Sequence, residues 1–182
     1  MFRIIFIFLF VLMVTLFYLL SRTMQINSEK PIFLKTDTLA EAHKSDVEIK
    51  IHSLYKPVDS EVENLKSNYT NIWAHLNNLY ATNDVEAGKE YYTEGWFKQL
   101  CTHYNGKIET PIIRNDLKHS LHIQNWANDG LICTAIDSNV VFNYTYTDST
   151  VYNTKANIAV VLLYQGDHWR IDALRILNES KF

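Results

Sequence analysis

Residues 157–177 constrain the fold more than any other stretch. Ile158 to Tyr164 is an unbroken apolar run rich in β-branched residues, which suits a strand covered on at least one face. Gln165-Gly166-Asp167 reads as a tight turn, with Gly166 free to take a positive φ. Trp169 to Leu177 then returns as a second strand. A hairpin with an apolar face does not stand alone in water, so the rest of the chain must supply amphipathic elements to cover it.

The chain upstream starts with an apolar run, residues 4–20, broken only by Thr15 and preceded by Arg3. It is longer than a usual signal-peptide core and close to the length of a membrane span. No Ala-x-Ala cleavage pattern follows, so residues 1–21 read as an uncleaved transmembrane anchor; the alternative is a cleaved signal peptide. The very short tail before the run favours a domain outside the membrane, although Arg22, Lys30 and Lys35 oppose that orientation. Residues 22–57 read as a polar tether. Thr38 to Glu41 offers a capping box there. Val47, Ile49 and Ile51 alternate with Glu48, Lys50 and His52, so this part is either a short strand or a partly ordered linker.

The folded domain is expected over residues 58–182. Ser60 to Glu63 is a second capping box, and Val62, Leu65, Tyr69, Ile72, Trp73, Leu76, Leu79 and Tyr80 keep the spacing of one helical stripe. Asn83 can cap a second helix carrying Tyr91 and Tyr92, with Asp84 also at its start. Trp96, Phe97, Leu100, Cys101 and Tyr104 give a third helical face, closed by a left-handed stop at Asn105-Gly106. From Leu117 onward strands alternate with turns: Leu121, Ile123 and Trp126; a turn at Asn128-Asp129-Gly130; residues 131–136; a break or bulge at Asp137-Ser138-Asn139; residues 140–147; a turn at Asp148-Ser149-Thr150; then the long hairpin. The fold class is α+β, with N-terminal helices on a curved antiparallel sheet. Cys101 and Cys133 form no Cys-x-x-Cys and are expected to be unbonded.

A long helix ending Ala81-Thr82-Asn83-Asp84, a second through Tyr91-Tyr92-Thr93 and a closing hairpin from Gly166 to Leu174 resemble the cone fold of the NTF2-like superfamily, which includes SnoaL-like cyclases, ketosteroid isomerase and many non-enzymes. The resemblance covers about residues 58–178 and is one of layout. A single span ahead of such a domain is similar to conjugation and type IV secretion assembly proteins. The resemblance implies a pocket between the first helix and the concave sheet, where the enzymes hold an acid–base carboxylate or histidine.

No isomerase or dehydratase signature carries over to that pocket, and no catalytic residue is assigned. Trp73, Tyr80, Tyr91, Trp96, Trp126 and Tyr146 either line an aromatic cavity for an apolar ligand or are plain core. Arg175 faces inward as an anion site if the last strand is unbroken, and is an edge arginine otherwise. His75 reads as a helix-flank histidine. His119-x-x-His122 has helical metal spacing, but on a strand the two rings point to opposite faces. Phosphate loops, nucleophile elbows and zincin motifs are absent, so no metal or cofactor is expected.

A net charge of −3 provides no basic field for nucleic acid. The expected partners are the membrane, through the N-terminal helix, and a protein or a second copy, through the outer sheet face, where His168, Arg170 and Asp172 alternate with Trp169, Ile171 and Ala173. The function this implies is a non-enzymatic, membrane-anchored binding or assembly domain; the alternative is a SnoaL-like small-molecule enzyme or ligand binder.

Overall fold

The computed structural model describes residues 45–182 except Lys107 and Glu109, together with Met13, Leu39, Ala42 and His43. The chain divides into two compact units, Met1–Lys35 and Thr36–Phe182; the fold that follows belongs to the second. The expected anchor (Met13 apart) and the capping box at Thr38 to Glu41 (Leu39 apart) lie outside the described residues. Among the described residues no helix is long and apolar enough to cross a membrane.

Strand β1 (Asp46–Ile51) is followed by helix α1 (Asp59–Thr82), a 3-10 helix (Glu86–Tyr91), helix α2 (Glu94–His103) and strands β2 (Ile113–Trp126), β3 (Ile132–Thr145), β4 (Val151–Gln165) and β5 (His168–Lys181). The sheet order is β1-β2-β3-β4-β5. Strands β2 to β5 form an antiparallel meander, but β1 pairs with β2 in parallel, so the curved sheet is mixed and not purely antiparallel. The cause is connectivity: all three helices intervene between β1 and β2, and that crossover returns the chain to the same end of the sheet. The alternation at Val47, Ile49 and Ile51 is therefore a strand, with Val47 buried in the core.

The expected capping box at Ser60 does not form. Helix α1 starts two residues earlier, after Val58 in extended backbone, and Glu61 accepts the Val58 N–H at 2.9 Å. Valine has no oxygen to return the bond, so this is half a capping box. Of the expected stripe, Leu65, Tyr69, Ile72, Trp73, Leu76 and Leu79 are buried, while Val62 and Tyr80 are partly exposed. Ala74, His75 and Asn77 are buried as well. His75 owes this to the 3-10 helix, whose Tyr91 stacks on its ring with centroids 4.9 Å apart.

Asn83 ends α1 instead of starting the next helix: its φ is 59° and its N–H bonds the Leu79 carbonyl. Asn tolerates that left-handed conformation because its short amide can bond locally. Asp84 starts the 3-10 helix, accepting the Ala87 N–H at 3.2 Å. Helix α2 is capped by Thr93, whose Oγ1 accepts the Trp96 N–H and donates to Asp172 on β5 at 2.7 Å. It ends at Tyr104 with φ −105°, so the left-handed stop expected at Asn105-Gly106 is not used.

The turns at Gly130, Ser149 and Gly166 form as expected, each with a positive φ. A bulge follows Asp137, with Asn139 at φ 56°. In β5, Leu162 pairs with Ile171 and Val161 with Ala173, so Asp172 is the extra residue of a second bulge. This bulge accounts for the phase switch visible in the sequence: Trp169 and Ile171 are buried, then Leu174 packs against the core while Ala173 and Arg175 are exposed.

Candidate functional site

The centre of the domain is polar. Strand β2 contributes Asp116 and His119, three residues apart, which on a regular strand would face opposite ways. Two register irregularities, between Asp116 and Lys118 and between Lys118 and Leu121, bring both onto the concave face. Strand β3 adds Asp137, in phase with buried Cys133 and Ala135. All three acidic and basic groups are completely buried, at 0–1 % exposure.

His119 bridges the two carboxylates. Its Nδ1 lies 2.6 Å from Asp137 Oδ2 and its Nε2 2.8 Å from Asp116 Oδ2. Both ring nitrogens therefore donate, which requires the imidazolium form. Burial alone would push its pKa down; the two hydrogen bonds and two negative charges outweigh that and raise it to about 9. Burial likewise opposes ionisation of Asp116, yet hydrogen bonds from His119 and His43 hold it well below the usual carboxylate range. Asp137 is an acceptor throughout, taking the Tyr69 hydroxyl at 2.7 Å, the His119 Nδ1–H and the Ser120 N–H at 3.0 Å.

A second layer closes over this core. Asn77 of α1 donates to Asp116 Oδ1, and His43 Nε2 reaches Asp116 Oδ2 at 2.9 Å. Arg114 donates to Asn77 Oδ1 at 2.9 Å and to the Leu76 carbonyl at 3.2 Å. Its guanidinium lies over Tyr80, Phe142 and Trp73, 4.6 to 5.5 Å from the ring centres. Trp73 covers the His119 ring at 5.0 Å. Tyr69, Trp73, His119, Phe142 and Asp137 thus fill the space between helix and sheet. With both ring nitrogens of His119 engaged by carboxylates, the imidazole has no free nitrogen to take a proton from a substrate or to bind a metal.

The residues expected to line an aromatic cavity are dispersed. Trp73 lies in the core against Phe142, Tyr80 against Tyr144, and Tyr91 between His75 and His168. Trp96 packs on Tyr92, and Tyr146 bonds Tyr152 through their hydroxyls at 3.1 Å. Trp126 packs on Trp169, and these two border a cavity at one end of the sheet. Arg175 is exposed, since the bulge at Asp172 removes the unbroken strand an inward Arg175 required.

No family model matches this chain, and no curated protein does.

No spacing in the sequence groups Asp116, Asp137, Tyr69 and Asn77, and His119 stands out there only as half of a metal spacing. One signal was present. Leu121 and Ile123 face inward, and counting back by two puts His119 on the same face. His122 does face the other way. Its ring and that of His52 are 1° from parallel with centroids 5.2 Å apart, and His52 Nε2 lies 2.9 Å from His122 Nδ1. That centroid separation leaves room only for both nitrogens on the line between the ring centres, so the rings are coplanar and share one N–H···N bond. This bond ties the end of β1 to β2.

Proposed function

We propose that this chain is a membrane-tethered, non-enzymatic domain of the NTF2-like cone type, which binds a protein partner or a second copy within an envelope assembly of the secretion or conjugation kind. The observation that carries this reading is the outer face of the sheet. Ile136, Ala159, Val161 and Leu163 are partly exposed neighbours across β3 and β4, with Thr134 beside Val161 and Ile132 more exposed at one end. His122, Arg170 and Arg175 flank this strip through their pairing with Ile136, Leu163 and Ala159. A sheet face that only meets water usually alternates to polar residues. An apolar centre with a polar, arginine-bearing rim is the composition of a protein interface. The filled interior supports the same reading, because a catalytic cone needs an accessible group at its floor. Tethering in a membrane raises the effective concentration of neighbours, so an interface of modest area suffices.

The small-molecule reading draws on a different feature, a cleft of about 220 Å³ lined by His43, Ala74, Asn77, Asn78 and Arg114. Two of these side chains bond Asp116, but the carboxylate itself is buried beneath them.

The test is photo-crosslinking in the native membrane from a benzoyl-phenylalanine placed at Leu163, with Glu86 on the 3-10 helix as the control position. The reading expects one discrete adduct from Leu163 and none from Glu86. Absence of any adduct at Leu163 would overturn it.

A further inference from the structure

The ends of β2, β4 and the start of β5 meet the first turn of α1 around a cavity of about 270 Å³. Three of its walls are aromatic. Trp169 stands edge-on to Trp126 with centroids 5.1 Å apart, and Tyr164 is tilted against Trp169 at 5.4 Å. The remaining wall comes from Ser60, Glu61, Asn64 and Gly130. The lining therefore holds one carboxylate and no cation.

The two oxygens of Glu61 differ. Oε2 accepts the Val58 N–H and caps the helix. Oε1 faces Gly130, where an added Cβ would sit 3.6 Å from it, and receives no donor among the described residues. Asn64 Oδ1 has only a 3.5 Å contact from Asn68. Trp126 is fully buried, yet its Nε1–H has no acceptor among the described residues.

We propose that this cavity is a cage for the basic side chain, arginine or lysine, of a protein partner; the proposal rests on the protein-partner reading above. A cation placed against indole and phenol faces gains from their quadrupoles, and more so where water is excluded. Glu61 Oε1 supplies the counter-charge. An apolar group would cover that oxygen without pairing it, and an anion would be repelled by it. The volume holds one side chain and falls short of a drug-sized ligand. The location also fits. Gly130 leads directly into Leu131 and Ile132, both largely exposed, and Ile132 pairs with Leu163 of the outer strip. The 127–131 turn thus joins the cage, on the helix side of the sheet, to the end of the outer strip.

The experiment titrates full-length protein in nonionic detergent with N-acetyl-arginine amide, N-acetyl-lysine amide, N-acetyl-glutamate amide and tetramethylammonium, followed by tryptophan emission and calorimetry. A saturable response to arginine or lysine at about millimolar concentration is expected, with none to glutamate. Glu61→Gln keeps an oxygen for the Val58 N–H while removing the charge. It should weaken cation binding about tenfold or more without shifting the melting temperature. Tyr164→Leu, which removes a half-buried ring, should weaken it too. Absence of cation binding, equal binding of glutamate, or unchanged affinity in both variants overturns the cage. Tighter binding of tetramethylammonium than of either side-chain analogue overturns the partner assignment. Cation binding without the Leu163 adduct sinks the assembly reading and leaves a cation site; the adduct without cation binding sinks the cage alone.

Discussion

His119 Nδ1 lies 2.6 Å from Asp137 Oδ2 inside a core that excludes water from both groups. Removing one member of such a set leaves uncompensated buried charge, which costs about 3–5 kcal/mol. His119→Leu should therefore lower unfolding stability by about that amount, because Asp116 and Asp137 then face each other with no cation between them. Denaturant unfolding of the full chain in detergent, read by tryptophan emission, measures it. A loss under about 1 kcal/mol would mean that the carboxylates rearrange or take up protons at little cost.

Two buried histidines set opposite limits on stability against pH. His119 is raised to about 9 in the fold, from an ordinary value of 6.5. Its contribution is complete below 6.5 and is lost as pH rises from there through about 9. His75 is lowered to about 4, by burial first. The unfolded chain protonates it more readily, so stability falls as pH drops from 6.5 toward 4. Each shift corresponds to roughly 3 kcal/mol at most. The melting temperature should peak near pH 6.5 and decline on both sides. His75→Phe should flatten the acid limb and leave the alkaline limb in place.

The folded unit should extend upstream of residue 58. Deleting residues 1–57 removes β1, with buried Val47 and the backbone bond from His52 to Ile123, and it removes His43 from Asp116. It also exposes the edge of β2 to pairing with other chains. A chain starting at residue 36 should melt cooperatively, whereas one starting at 58 should aggregate or melt without cooperativity. Calorimetric scans of the two truncations compare them directly.

The cysteines should differ sharply in reactivity. Both are free; Cys101 is exposed on α2, while Cys133 is buried and its thiol is pushed up to about 12. Maleimide should modify Cys101 within minutes and Cys133 only when the core opens, so labelling of Cys133 reports global unfolding. Fast native labelling of Cys133 would show that the sheet opens locally.

Much of the fold was legible because its signals are local. The bulge at Asp137-Ser138-Asn139, the three turns and the helical stripe from Leu65 to Leu79 all follow from spacing and turn chemistry. The β1 alternation was visible too, but its parallel pairing depends on a crossover of three helices that periodicity does not encode. The central cluster was hidden for a different reason. Leu117 matches the inward phase of Leu121 and Ile123, yet it is largely exposed, and the irregularities of β2 put Asp116 inside instead. A reading by alternation buries the leucine and exposes the aspartate, which inverts the site. Helical spacing alone puts His75 on a flank, because the Tyr91 that covers it comes from the next element.

If the outer face of the sheet is an interface, as proposed, a charge placed in it should break the assembly. Sedimentation of the full-length protein, taken in mild detergent from the cells that make it, compares wild type with Val161→Glu. Val161 lies in the middle of the outer strip and contributes no core packing, so the substitution should cost about 1 kcal/mol or less of folding stability. The expected result is a wild-type particle larger than one 21.3 kDa chain with its detergent, reduced to the single chain in the variant at nearly unchanged melting temperature. A wild-type protein that sediments as a single chain, or a variant that stays in the large particle, would contradict the account.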